Sequence, residues 1–163
     1  CYTVRDTEGC GMEWETYMTQ ALELARQAGA LGEIPVGAVV VKDGAVIGRG
    51  FNRRETDHDA TAHAEVLAIR EACRALGSWR LDGCALFVTL EPCPMCTGAI
   101  LQSRLSRVVY GAADPKAGCC GGLLALTEEN FDTHPAIYAG VLEQECAALL
   151  RDFFAGRRRA SGK

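Results

Sequence analysis

Two hydrophobic periods alternate along this chain, and the switches between them mark its elements. Met18, Leu22 and Ala25 recur at spacings of four and three among alanines and charges, and the stretch from Gly29 to Gly32 ends the run. This pattern predicts a first helix. Val36-Gly37-Ala38-Val39-Val40-Val41 and Ala45-Val46-Ile47 then flank Asp43-Gly44, a dipeptide suited to the positive φ angles of a two-residue hairpin turn, so two antiparallel strands are expected. Val66, Ile69, Cys73 and Leu76 return to helical spacing, with Arg70, Glu71 and Arg74 on the other side and Gly77 as the stop.

Leu86-Phe87-Val88-Thr89-Leu90 reads as a buried strand running into Pro92-Cys93-Pro94, where proline at a first helical position opens a third helix through Leu101. Arg107 to Gly111 forms another strand. A glycine-rich loop from Ala112 to Gly122 leads through a weak helix over Leu123 to Glu129 and a short strand near Ile137. The last helix shows Leu142, Cys146, Leu149 and Phe153 on one face. Helix, hairpin, helix, strand, helix, strand, helix, strand, helix is the order of an α/β protein: three layers, α/β/α, with a central mixed five-stranded sheet. In such sheets functional sites collect at the carboxyl ends of strands and the amino ends of helices.

Length and composition narrow the picture. The 163 residues suffice for one ordinary domain, with 48% hydrophobic and 23% charged residues, as in soluble globular proteins. Residues 1–11 follow neither period and read as an extension ahead of a natural start at Met12. The domain is then expected over 12–159, with 160–163 as a tail. No stretch reaches membrane-spanning length and no signal pattern opens the chain, so no membrane partner is expected and the default location is cytoplasmic.

The nine cysteines are an odd number, which argues for reduced thiols and metal ligands rather than a disulfide framework. Cys73 and Cys146 read as small buried hydrophobes and Cys119-Cys120 as a surface oxidation hazard. A net charge of −4 argues against a general polyanion binder, but Arg151, Arg157, Arg158, Arg159 and Lys163 oppose only Asp152 at the C-terminus, a local basic patch.

Chemistry concentrates in two short stretches, His63-Ala64-Glu65 and Pro92-Cys93-Pro94-Met95-Cys96. One imidazole and two thiols suit Zn²⁺ with three protein ligands and an open fourth position, the catalytic rather than the structural pattern. Cys93 and Cys96, three apart at a helix start, share a face. His63 and Glu65, two apart, converge only in a first turn, where Asp59 and Thr61 are expected to cap the second helix. Cys-x-x-Cys alone fits a structural zinc site or a redox pair as well, but no second pair of ligands exists to complete a structural site. Glu65 is not needed as a ligand and is placed to move a proton to or from water.

Together these stretches resemble the zinc-binding motif of the cytidine-deaminase-like zinc deaminases, and the flanking segments resemble the branch that acts on adenosine in tRNA. Those segments include residues 33–38, 48–52, 58–65, 88–93, 107–111 and 114–118. The resemblance implies hydrolytic deamination of adenosine to inosine at the wobble position of a tRNA anticodon. It implies one Zn²⁺ per subunit on His63, Cys93 and Cys96, and Glu65 shuttling protons. Asn52 would contact the base, Val36 would form the pocket wall, and Asp114 and Lys116 would lie beside the flanking nucleotides. It also implies a homodimer and a basic C-terminal helix carrying Arg157, Arg158 and Arg159 near the RNA backbone. Ala60, Arg54 and Cys119-Cys120 depart from the family's usual residues. The alternatives are a zinc deaminase of a free base or nucleoside, of guanine or cytosine type, and a non-catalytic, zinc-stapled RNA-binding subunit.

Overall fold

A computed structural model describes residues 11–162, with side chains from Met12. The readings of residues 1–11 and of the C-terminal Lys163 lie outside the described residues, apart from the backbone of Gly11. Five strands and four helices follow the expected order: α1 (Gly11–Ala30), β1 (Gly37–Lys42), β2 (Ala45–Phe51), α2 (Ala64–Leu76), β3 (Ala85–Leu90), α3 (Pro94–Gln102), β4 (Arg107–Ala112), β5 (Ala136–Ala139) and α4 (Glu143–Ser161). The sheet order is β2-β1-β3-β4-β5. β1 pairs antiparallel with β2 and β3, whereas β3, β4 and β5 run parallel, so the sheet is mixed. Asp43 and Gly44 both take positive φ, 48° and 78°, as the hairpin turn requires.

Alternate residues of the central strands feed two cores. Ala38, Val40, Leu86, Val88, Val108 and Tyr110 face α2 and α3. Val39, Val41, Phe87 and Val109 face α1 and α4, where Trp14, Tyr17, Met18 and Cys146 meet them. Both faces are covered, which is why these strands read as continuous apolar runs.

The contact between α2 and β2 departs from expectation. The buried face of α2 is Ala64, Glu65, Ala68, Ile69 and Ala72, while Val66, Cys73 and Leu76 are only partly buried. The larger apolar residues marked the helix but not its innermost stripe. The reason lies in β2: a Cβ on Gly48 would overlap the backbone of Ala68 and Ala72, and one on Gly50 that of Ala64 and Ala68. Helix and strand therefore meet backbone to backbone, and only alanine fits between them.

Three smaller expectations are corrected. The helix predicted over Leu123–Glu129 is a single 3-10 turn at Leu126–Glu128. Cys119 and Cys120 are buried, not surface thiols: loop 113–122 folds inward onto the end of β3. Cys73 is only half-buried, with its Sγ 3.7 Å from the Trp79 carbonyl, whereas Cys146 is buried as read.

Gly50→Ala tests the backbone contact. It is expected to lower stability by about 3 kcal/mol, read as a drop in the urea midpoint at unchanged m value.

Candidate active site

Two helices begin at the same place. His63 is the N-cap of α2, in extended conformation (φ −79°, ψ 152°), and Cys93 is the N-cap of α3 (φ −74°, ψ 175°). Neither side chain caps its own helix; both turn toward the space between the helix ends. The expected cap from Asp59 or Thr61 is absent because Asp59 spends its carboxylate on Thr61, accepting from the backbone N–H at 2.8 Å and the hydroxyl at 2.7 Å. Pro94 occupies the first turn of α3, where its missing N–H costs no hydrogen bond.

His63 Nδ1 lies 3.6 Å from Cys93 Sγ and 3.5 Å from Cys96 Sγ. All three donor atoms fall within 4.8 Å of one another. Zinc ligands at about 2.05 Å (nitrogen) and 2.3 Å (sulfur) from a tetrahedral centre are about 3.6 Å apart, so the observed separations fit a zinc ion.

Charge in the triad follows from its geometry. A hydrogen bond from Cys96, helped by His63, lowers the Cys93 thiol to about 4, and the helix N-terminus favours the same thiolate. Cys96 is pushed strongly upward by that hydrogen bond and by burial, and His63 is raised by its hydrogen bond to Cys93. The two thiols are thus pushed in opposite directions, and a metal held through both sulfurs would take both as thiolates.

Glu65 sits two residues into α2 and is 4% exposed. Burial raises its pKa from 4.5 to about 7, and the nearby Cys93 thiolate pushes the same way. A carboxyl group poised near neutrality can both accept and release a proton at working pH.

Beside the triad lies a cavity of about 170 Å³ lined by Ile34, Val36, Asn52, His63, Glu65 and Asp114, among others. This is below the roughly 300–1,000 Å³ of pockets that enclose drug-sized molecules, so it suits one ring of a larger substrate. Asn52 is fixed by the backbone on both sides. Its Nδ2 donates to the Ile34 carbonyl at 3.2 Å, and its Oδ1 accepts the Arg54 N–H at 3.2 Å. One amide hydrogen and one lone pair remain for a ligand.

Lys116 does not line this cavity. It faces a separate groove along α4 with Leu150, Arg151, Phe154, Arg157 and Arg158. The Arg157 guanidinium stacks over the Phe153 ring at 5.1 Å, and Arg159 Nε donates back to the Ala155 carbonyl at 3.4 Å. Arg54, noted above as a departure from the family's usual residue, lines the cavity rim. Two residues that sequence reasoning did not single out lie beside the site: Glu91 is buried in the cavity wall, and Glu33 is buried below the opposite loop, accepting the Thr56 N–H at 2.7 Å. A lone acid among apolar neighbours was the signal for both carboxylates.

Three ligand side chains held by the starts of two helices over a mixed sheet, with a buried carboxyl beside them, are the parts of a catalytic zinc site. The chain belongs to the cytidine and deoxycytidylate deaminase zinc-binding family, whose sequence profile matches residues 12–112. It is 51% identical over 146 residues to the tRNA-specific adenosine deaminase of Bacillus subtilis, covering 89% of this chain and 91% of that protein. A solved structure from a study of A-to-I editing by tRNA:A34 deaminases at the wobble position of transfer RNA is 47% identical. It superimposes with a TM-score of 0.79 over 83% of this chain and 99% of its own. The guanine deaminase of Bacillus subtilis is similar at 39% identity and a TM-score of 0.60, covering 88% of this chain and 93% of that one.

The buried acid generates a pH prediction for the metal-free protein. A carboxyl whose native pKa exceeds its unfolded value stabilises the fold below the unfolded pKa and loses that contribution as pH rises through the native one. Glu65→Gln cannot ionise, so urea unfolding is expected to show it more stable than the parent by about 3 kcal/mol at pH 8, with the difference vanishing near about pH 4.

Proposed function

We propose that the protein deaminates adenosine to inosine at the wobble position of a tRNA anticodon, with water as co-substrate and ammonia as the second product. The single observation carrying this reading is the pairing of the His63, Cys93 and Cys96 triad with a buried, near-neutral Glu65 beside a ring-sized cavity. The preference for tRNA over a free base rests on the similarity to tRNA-specific adenosine deaminases at 51% identity, against 39% for a guanine deaminase.

In this reading His63, Cys93 and Cys96 would hold zinc, which when bound would supply a Lewis acid able to make water nucleophilic at neutral pH. Glu65 takes the proton from the attacking water, passes it to the ring nitrogen next to the reacting carbon, and assists protonation of the departing amine, the established chemistry of zinc nucleobase deaminases. Asn52 orients the base through the amide hydrogen and lone pair its backbone bonds leave over. Val36 walls the ring, and Asp114 stands at the same cavity where the flanking nucleotides enter. The small cavity demands that the base be turned out of its stack, as an anticodon loop allows.

Lys116, Arg157 and Arg158 share one groove, which supports an RNA-backbone role for α4. This local charge reconciles an acidic chain with a nucleic-acid substrate. The family resemblance also supports a homodimer, and Met95, Leu123, Leu124 and Phe131 are large apolar residues left exposed on α3 and the segment after loop 113–122. No described helix is long and apolar enough to cross a membrane; a cytoplasmic location is part of the same proposal, resting on tRNA as the substrate.

An anticodon stem-loop with adenosine at the wobble position is expected to be converted to inosine, while free adenosine, guanine and cytosine are not; turnover of a free base alone overturns the reading. Glu65→Ala is expected to retain zinc and lose at least about 10³-fold in kcat, whereas Cys93→Ser loses the metal. Unchanged activity in Glu65→Ala removes Glu65 from its role. Replacing Arg157, Arg158 and Arg159 by alanine is expected to weaken stem-loop binding and flatten its salt dependence without loss of zinc, as filter binding at two salt concentrations would show.

A further inference from the structure

Glu91 follows β3 directly and precedes the metal-ligand turn Pro92-Cys93, yet it belongs neither to the triad nor to a salt bridge. Its side chain is 2% exposed, and no ion pair reaches it among the described residues. Three backbone N–H groups satisfy it instead. Oε1 accepts from Asp114 at 3.2 Å, and Oε2 accepts from Cys120 at 3.1 Å and Gly122 at 2.8 Å. All three donors lie on the loop that leaves β4 and carries Asp114 and Lys116.

Two glycines of the same loop, Gly118 and Gly122, press on the carboxylate so closely that a Cβ on either would overlap it. The main chain adds two further ties: the Glu91 N–H donates to the Ala112 carbonyl at 2.9 Å, and the Cys119 N–H to the Pro92 carbonyl at 2.9 Å. The loop is thus wrapped around one buried anion, with its amides converging as in an anion-binding nest. An isosteric amide cannot replace it. Gln offers one accepting oxygen and turns an NH₂ group toward N–H groups that need an acceptor.

We propose that Glu91 is a positioning residue for the substrate: its carboxylate locks loop 113–122 against the metal-ligand turn, so that Asp114 and Lys116 are held in register with Cys93. The proposal rests on the tRNA reading above for what those two residues meet. The lock itself does not, because it is readable without substrate. Glu91 sets where the flanking nucleotides are gripped relative to the reacting carbon and takes no part in moving protons, the role given to Glu65.

The experiment uses full-length, zinc-loaded Glu91→Gln and Gly118→Ala, the second disturbing the same carboxylate from the loop side. Hydrogen exchange is expected to lose protection at the Asp114, Cys120 and Gly122 amides and to keep it in β3 and β4, with zinc still at one per chain. On the anticodon stem-loop, KM is expected to rise about tenfold or more with a smaller change in kcat. Adding Lys116→Ala to Glu91→Gln is expected to cost less than the two separate losses combined, because both act through one placement. Unchanged loop exchange in both variants, zinc loss as the origin of the defect, or full additivity with Lys116→Ala overturns the proposal. If Glu91→Gln does not fold, Gly118→Ala carries the exchange and kinetic tests. If the parent does not deaminate the stem-loop, the tRNA reading fails while loop exchange still decides the lock.

Discussion

Everything in this molecule depends on two helix starts being brought together and left uncapped. An N-cap side chain ordinarily satisfies its own helix's free N–H groups. Here His63 and Cys93 occupy that position and turn away from it, toward each other, at 3.6 Å. The N–H groups left behind keep their positive field, which favours the Cys93 thiolate and any anion formed between the helices. The stability forgone in two caps reappears as a site that attracts negative charge and a cation together. Helix geometry then explains the remaining spacing, since Cys96 and Glu65 both fall in the same first turns.

The sheet supplies the rigidity this arrangement needs. β1 and β3 lie at its centre with both faces buried, so the turn after β3 leaves from a fixed point. Around it the two cavity walls are irregular loops, and each is tied to an internal carboxylate, Glu33 on one side and Glu91 on the other. Loops positioned by buried acids combine the shape freedom of irregular backbone with the precision of a core.

Much of this was legible in the residues, and what was not has a physical reason. Element order, the Asp43-Gly44 turn and the convergence of His63 with Cys93 and Cys96 follow from local periods and ligand chemistry, which act over a few positions. The inner face of α2 was misjudged because its alanines answer to glycines on another element, a relation no local period records. Asp59 and Thr61 looked like caps because their side chains can cap; that they bond each other instead is a competing local motif, an Asx turn, open to the same residue types. Cys119 and Cys120 looked exposed because a glycine-rich loop ordinarily is, and only the internal anion that folds this loop inward reverses the expectation. Lys116 lines the α4 groove rather than the cavity, a placement set by how the loop curls and not readable from its own residues.

The glycine contact between β2 and α2 constrains how this scaffold can change. With backbone laid on backbone at Gly48 and Gly50, α2 presents only small side chains to that seam, and neither side can be enlarged without parting helix and strand. The helix that starts at His63 and carries Glu65 therefore has no adjustable shim beneath it, and a change of pocket shape falls more readily on the loop-built rim of the cavity than on that helix end.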